Sequence, residues 1–392
     1  MNAQISDSAP LLIVGMDGLV GSSLALEATR LGIPWSGTSR RHGAPCHLDL
    51  TEPHAKWQIP TSSKSVAILC AAVTGMEACE SDPQGTALIN TTATIALADK
   101  LADQGASLVF ISTSRVFPPW FENPSEITPP APNTEYGRQK LAVENHLLAK
   151  YPTAKIIRPA KIISPHLPLF KNWLHLLTAN QPIHPFQDLF LSPVALNFVT
   201  RTILGIALGT ASGIFHISAS DAISYHQAGL HFASRRGLDC NLVEMSNAPH
   251  PNTPGSAILS CTRTIEFIGF RPLSASENLD AALLQVEAAS WPRPVYILGA
   301  SHPQTNFVHF TGLENSIDAF IDDNPAKANL LIPLACPVPI LPASKLLEGP
   351  APGTILRGAF GYEDWMDRAT APLAAESTTI VKPYEPRMVF PQ

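Results

Sequence analysis

The chain has 392 residues, and its 26 Lys plus Arg against 32 Asp plus Glu leave a formal charge of −6, with only 15% of residues charged. That length corresponds to roughly two domains at ~150 residues each, while the acidic balance provides no field for a nucleic-acid backbone. The six cysteines contain no C-x-x-C pair, so spacing argues against a disulfide frame or a zinc site and leads us to expect reduced thiols in a cytoplasmic protein.

Residues 1–10 carry no basic region followed by an apolar run, and we expect a flexible N-terminus and no signal peptide. A strand at Leu11 to Val14 runs into Gly15-Met16-Asp17-Gly18-Leu19-Val20-Gly21 and a helix from Ser22 to Leu31. A second strand, Pro34 to Gly37, leads to Thr38-Ser39-Arg40-Arg41, and a third short strand precedes Asp49-Leu50. Then come a strand at Val66 to Cys70, a helix over about 82–104, a strand at Ser107 to Ile111, a helix from Glu135 to Ala149 and a strand at Lys155 to Ile157. Strands alternating with helices of this length predict an α/β fold, a Rossmann-like doubly wound parallel sheet.

Beyond Ala160 the pattern loosens into a substrate-binding cap, with helices at Val194 to Leu208 and Ile223 to Arg235 around a strand at Gly213 to Ser218. Val194 to Leu208 is the most apolar run, but Asn197 and Arg201 interrupt it and no membrane span is expected. Near 288–292 a new unit begins, with strands at Val295 to Gly299, Ile317 to Ile321 and Thr354 to Arg357 and a helix over 303–311. The expected organisation is 1–10 as terminus, 11–287 as one unit (cofactor part to about 160, substrate part mainly 161–287), 292–370 as a small C-terminal α/β domain and 371–392 as tail. The 37 prolines cluster at 118–132, 159–185, 249–254 and 333–342 and read as stiff connections.

Three glycines where a first strand meets a first helix allow a tight turn and close approach of a diphosphate to helix N-terminal amides. Gly15, Gly18, Leu19 and Val20 are therefore candidate cofactor contacts, and Asp17 joins them as a turn residue. An NAD site places an acid after the second strand; here Ser39, Arg40 and Arg41 stand there, so a 2′-phosphate partner and NADP(H) are favoured over NAD(H). Asp49 and Leu50 face either adenine or ordinary surface and core.

Tyr136 and Lys140 share a helix face through their four-residue spacing. An ammonium beside a phenol favours phenolate, and such a tyrosine can give a proton to a carbonyl oxygen as hydride arrives. Thr113, after the apolar strand ending at Ile111, stands at the carboxyl edge of the sheet, placed to orient the substrate oxygen.

GMDGLVG at 15–21, AILCAAVTGMEACE at 67–80 with Asn90, ISTSRVF at 111–117, YGRQK at 136–140, RPAKI at 158–162 and GIFHISAS at 213–220 resemble the extended short-chain dehydrogenase/reductase family, in its dTDP-4-dehydrorhamnose reductase-like branch. The resemblance implies NADPH-dependent reduction of a keto group on a nucleotide-linked 6-deoxy-sugar, with Thr113, Tyr136 and Lys140 as catalytic residues and Lys140 also holding the nicotinamide ribose. It also implies that Ala71 and Ala72 line the cofactor and that Pro159 follows the last cofactor-side strand. Where the branch often carries an acid and an aromatic after the threonine, this chain has Ser114 and Arg115, and Arg115 faces either a diphosphate or solvent. Trp120, Phe121, Arg158 and Lys161 fall near the presumed mouth.

Two other readings stay open, an epimerase or dehydratase with retained NAD(P) and a non-catalytic NADP-binding subunit, as does a homo-oligomer. No metal site is read. VYILGASHPQTNFVHF at 295–310 with FIDDNPAK at 320–327 resembles the carboxy-terminal domain of sugar C-methyltransferases, without their methyl-donor and zinc-binding parts and with His302-Pro303 for the usual lysine-glycine. There Gly299-Ala300-Ser301 fits an anion and Asp322 and Asp323 fit ribose hydroxyls, against a purely structural role.

Overall fold

The computed structural model describes residues 10–59, 65–269, 271–288, 291–300, 305, 308, 312–332, 337–346, 353–357, 366, 369–371, 373 and 378–381. The expected helix over 303–311, the motif residues Ser301, His302 and Pro303, Cys336 and nearly all of the 371–392 tail lie largely or wholly outside these. The chain divides into two compact units, residues 1–162 with 176–275 and residues 163–175 with 276–392.

In the first unit, strand β1 (Leu11–Val14) leads through a glycine turn into helix α1 (Leu19–Arg30), followed by β2 (Trp35–Thr38) and β3 (Val66–Leu69). The runs LLIV and VAIL are buried at every position, as expected of strands covered on both faces. The stretch before Asp49 contributes a single bridge, Ser39 with His47, in place of a third short strand.

The expected helix over 82–104 is interrupted. Helices α2 (Met76–Ser81) and α3 (Pro83–Ala87) precede a π-helical turn at Leu88–Ala93, and α4 (Thr94–Asp103) follows. A π turn brings a residue out of the ordinary helical register, and here the residue is Asn90.

Strand β4 (Ser107–Ile111), helix α5 (Glu135–Lys150) and strand β5 (Lys155–Pro159) come next. Two ribbons follow, β6 (Lys161–Ile163) with β8 (Pro193–Ala195) and β7 (Phe190–Leu191) with β10 (Ile223–Ser224), so two stretches expected as helix begin as strand. The proline-rich stretch 159–185 also holds a helix, α6 (Pro168–Thr178). Helix α7 (Leu196–Leu208) lies along α1, where the Arg201 guanidinium sits 2.7 Å from Glu27 and Ser23 bonds Thr200 at 2.7 Å. Strand β9 (Gly213–Ile217) and helix α8 (Tyr225–Arg235) follow.

The sheet order is β2-β1-β3-β4-β5-β9, all parallel. Strand order reverses between β1 and β3, the point where ligands enter a doubly wound sheet. Helices α4 and α5 cover one face with Leu97, Leu101, Val143 and Leu147 packed on Leu12, Phe110 and Ile156.

Further helices are α9 (Pro254–Ala257), α10 (Thr262–Ile268) and α11 (Ala275–Glu287). The second unit builds its own sheet from β11 (Val295–Leu298), β12 (Ala319–Asp322), β13 (Leu331–Ile332), β14 (Val338–Pro342), β15 (Thr354–Arg357) and β16 (Thr379–Val381). Its order is β13-β14-β12-β11-β15-β16, parallel except for β13. Val295, Ile297, Phe320, Ile340 and Leu356 form its core. The 333–342 stretch, read from its prolines as a connection, thus contributes a strand, β14.

Candidate active site

Gly15 leaves β1 with φ +84°, a conformation that favours glycine, and its N–H donates to Thr38 Oγ1 at 3.1 Å. A Cβ on Gly21 would lie 2.2 Å from the Gly15 carbonyl oxygen, so the first helical turn closes onto the loop only without a side chain there. Gly18 caps α1 in exposed backbone, its N–H bonded to Gly15 O at 3.1 Å. Beside it Leu19 is 45% exposed and Val20 half-buried. The turn therefore offers helix N-terminal amides to an anion.

Asp17 is tied to the end of β2: its carboxylate accepts the Ser39 hydroxyl and lies 3.6 Å from Arg41 Nε. Ser39 is buried and takes the Arg41 N–H at 3.0 Å, while Arg40 and Arg41 are exposed. An exposed ion pair is worth at most about 1 kcal/mol, so Arg41 is readily released to another anion. Arg40 makes no ion pair among the described residues. Asp49 bonds the N–H and hydroxyl of Thr51 at 2.8 and 2.7 Å, which, with lesser help from His47 and Arg40, hold its carboxyl below the usual range. Leu50, half-buried, packs against the core.

Ala71 lies against Gly15, with its backbone 3.0 Å from where a Cβ at 15 would sit, and Ala72 follows half-buried. Asn90 holds this loop after β3. Its Oδ1 accepts Val73 N–H at 2.7 Å, and its Nδ2 donates to Val73 O at 2.9 Å and to Gln139 Oε1 at 2.7 Å. Gln139 in turn donates to Thr86 Oγ1 at 2.9 Å, so the π turn, α3 and α5 share one buried amide cluster.

Thr134 caps α5 by accepting the Gly137 N–H at 3.2 Å. Tyr136, Gln139, Lys140 and Glu144 are all buried on this helix, an unusual polar set for a core-facing side. Lys140 Nζ donates to Ile111 O at 2.9 Å, the last residue of β4, and lies 5.8 Å from the Tyr136 ring centre and 4.6 Å from that of Phe110. Burial lowers the ammonium to about 8. Burial also raises the Tyr136 phenol, with Cys79 adding to the rise. Both push the phenol away from phenolate, opposite to the direction expected from Lys140 alone.

Thr113 is buried, its Oγ1 accepting Arg115 N–H at 3.1 Å, which leaves the hydroxyl hydrogen available to donate. The Arg115 carbonyl packs on Gly137 so tightly that a Cβ there would lie 2.2 Å away. This contact brings the Thr113 turn against the Tyr136 turn. Pro159 ends β5, paired with Ile217 of β9.

Arg158 is 1% exposed and so does not lie at the mouth, where the sequence reading placed it. Its Nε donates to Glu144 at 3.0 and 3.2 Å, its guanidinium lies 5.1 Å from the Phe117 ring centre, and His216 Nε2 is 3.5 Å from Nη1. Glu144 also accepts the hydroxyl of Ser112. Burial and Arg158 lower His216 to about 3, so its imidazole is neutral. Trp120 is exposed and Phe121 packs beside Phe117 and Leu259. The roles of Gln139, Glu144 and His216 were not apparent from sequence.

In the second unit Asp322 ends β12, and its oxygens accept Ala300 N–H at 2.9 Å, Asn324 N–H at 3.0 Å and Lys327 Nζ at 2.8 Å. That carboxylate holds its own loops together. Asp323 is exposed, and Asn324 forms a turn by accepting Ala326 N–H at 3.0 Å. Gly299 leaves β11 at φ +85°. Among the described residues no helix is long and apolar enough to cross a membrane, and no group of three or more His, Cys, Asp or Glu is placed to hold a metal ion.

The family model for the RmlD substrate binding domain matches residues 9–287. A probable low-salt glycan biosynthesis reductase of Haloferax volcanii is 27% identical over 250 residues, covering 60% of this chain and 82% of that protein. A dTDP-4-dehydrorhamnose reductase of Mycobacterium tuberculosis is 34% identical over 158 residues, 39% of this chain and only half of that enzyme. The fold matches a dTDP-4-dehydrorhamnose reductase from Bacillus anthracis, solved in complex with NADP, with a TM-score of 0.61 at 21% identity over 73% of this chain and all of that one.

Proposed function

Since the chain belongs to the RmlD substrate binding domain family, we propose that it reduces a keto group on a nucleotide-linked sugar with NADPH, with Tyr136 as the proton donor. The observation that carries this reading is the meeting of Thr113, Tyr136 and Lys140 at the carboxyl edge of β4. A protonated phenol suits a reduction, in which hydride reaches the carbon while the oxygen needs a proton. Residues 11–287 form the reductase part, with the 292–370 domain appended.

NADPH fits the loops that would receive it. The turn at Gly15, Gly18, Leu19 and Val20 would take the diphosphate, Ala71 and Ala72 would line the dinucleotide, and Lys140 would hold the nicotinamide ribose. When bound, the cofactor supplies the hydride. Thr113 donates to the substrate oxygen and fixes it near the phenol, and Lys140 places a positive charge beneath that oxygen as it develops negative charge. Arg40 and Arg41 would pair with the 2′-phosphate. The free thiols of Cys46, Cys70, Cys79, Cys240 and Cys261 fit a reducing compartment, and we place the protein in the cytoplasm.

The reading is tested by NADPH and NADH consumption with a dTDP-4-keto-6-deoxyhexose. NADPH is expected to be preferred, and Arg40→Ser should lower kcat/KM for NADPH by about tenfold while leaving NADH nearly unchanged. An equal effect on both cofactors would remove Arg40 from the 2′-phosphate site.

A further inference from the structure

Two cations leave the sheet beside the Thr113 and Tyr136 turns. The register pairs Ile111 of β4 with Ile157 of β5, and Ser112 N–H donates to Ile157 O at 2.7 Å, so the two chains emerge side by side. Arg115 and Lys161 stand at the same distance along each chain beyond that pair. Arg115 is anchored through its backbone, by Thr113 Oγ1 and against Gly137, which leaves its exposed side chain free of structural duty.

Burial, and then the charge of Arg115, hold the Lys161 ammonium below its usual range. Arg115 also opposes the burial that raises the Tyr225 phenol. The three side chains therefore share one neighbourhood. Neither cation has an acidic partner among the described residues. Two like charges placed together without a counter-charge are destabilising, and an arriving anion relieves them.

The cofactor's own anions belong elsewhere. Its diphosphate and 2′-phosphate fall to the loops after β1 and β2, and β5 lies three strand spacings from β1, about 14 Å at ~4.8 Å each.

We infer that Arg115 and Lys161 form a subsite for an oxyanion of the substrate, a phosphoryl or a carboxylate group, at the reacting end of the cleft. The inference rests on the nucleotide-sugar reading above and makes these two residues determinants of which substrate is held. A guanidinium pairs such a group through two parallel hydrogen bonds, and the lysine adds a point charge.

The test is calorimetric binding of dTDP, dTDP-glucose, UDP-glucose and UDP-glucuronate to the full chain loaded with NADP+, as wild type, Arg115→Gln, Lys161→Gln and the double variant. Arg115 is exposed, and Lys161 is exposed as a residue although its ammonium is partly desolvated, so glutamine at either position should leave the fold and NADP+ affinity in place as the control. If the group is the diphosphate, each single variant weakens dTDP and dTDP-glucose by about tenfold. If it is a sugar carboxylate, UDP-glucuronate binds the wild type more tightly than UDP-glucose, and the double variant abolishes that preference while leaving dTDP-glucose unchanged. Affinities in the double variant that all stay within about twofold of wild type overturn the subsite alone. A wild type that takes up NADP+ but none of the four overturns the substrate class together with the subsite.

Discussion

Tyr136→Phe is expected to lower kcat by about 10³-fold, within the span of ~10²–10⁴ that a positioned general acid supplies, while NADPH binds as before. The ring is buried and phenylalanine keeps its shape, so removing one oxygen should leave the helix and the cleft intact. What disappears is the proton that meets the substrate oxygen. The pH dependence separates this role from general damage. Tyr136 is raised by burial, so it stays protonated across neutral pH and does not limit the rate there. Lys140 is lowered to about 8 by burial, so reduction should be level below that pH and fall as the ammonium deprotonates above it. A Phe variant that retains more than about a tenth of wild-type kcat, well short of the ~10²-fold minimum for a general acid, would remove Tyr136 from proton transfer.

Glu144→Ala should cost about 3–5 kcal/mol, because it strands the Arg158 guanidinium without a counter-charge. Glu144 and Arg158 are 0% and 1% exposed, and the neutral His216 beside them cannot replace the carboxylate. Against a total stability of about 5–15 kcal/mol, that loss moves a urea midpoint far to the left. The double variant Glu144→Leu, Arg158→Met should recover most of it, since both desolvation penalties vanish together. The pair also reaches the chemistry, because Glu144 holds Ser112, next to Thr113, and stands one turn beyond Lys140. A single variant that unfolds within about 1 kcal/mol of wild type would show that the pair adds little.

The parts of the site that depend on local chemistry were readable in the sequence. A four-residue apolar strand followed by Gly15, Gly18 and Gly21 specifies a strand, a turn and a helix, and the Tyr136 and Lys140 spacing specifies a shared face. What was not readable depends on distant partners. Glu144 looks like any helix-surface acid until Arg158, on the next strand, is seen to cover it. Arg158 looks like a mouth residue for the same reason. The π turn at Asn90 arises where a buried amide must reach Val73 and Gln139 at once, and helix propensity alone predicts an unbroken helix there. Strand β14 escaped because Pro339 and Pro342 read as loop, although the strand finds its parallel partner in β12. Spacing reveals the lysine beside Tyr136 but not the burial that pushes the phenol the other way.

The most direct measurement of the central claim follows the hydride. Purified protein is given NADPH carrying deuterium at the transferable position of the nicotinamide and a dTDP-4-keto-6-deoxyhexose, and the sugar product is weighed by mass spectrometry. The reductase reading predicts a product that has gained one deuterium and one proton per NADPH oxidised, the deuterium on the former carbonyl carbon. A sugar that is rearranged or dehydrated with NADPH unconsumed and no label gained would contradict it and favour an epimerase or dehydratase working through a retained cofactor.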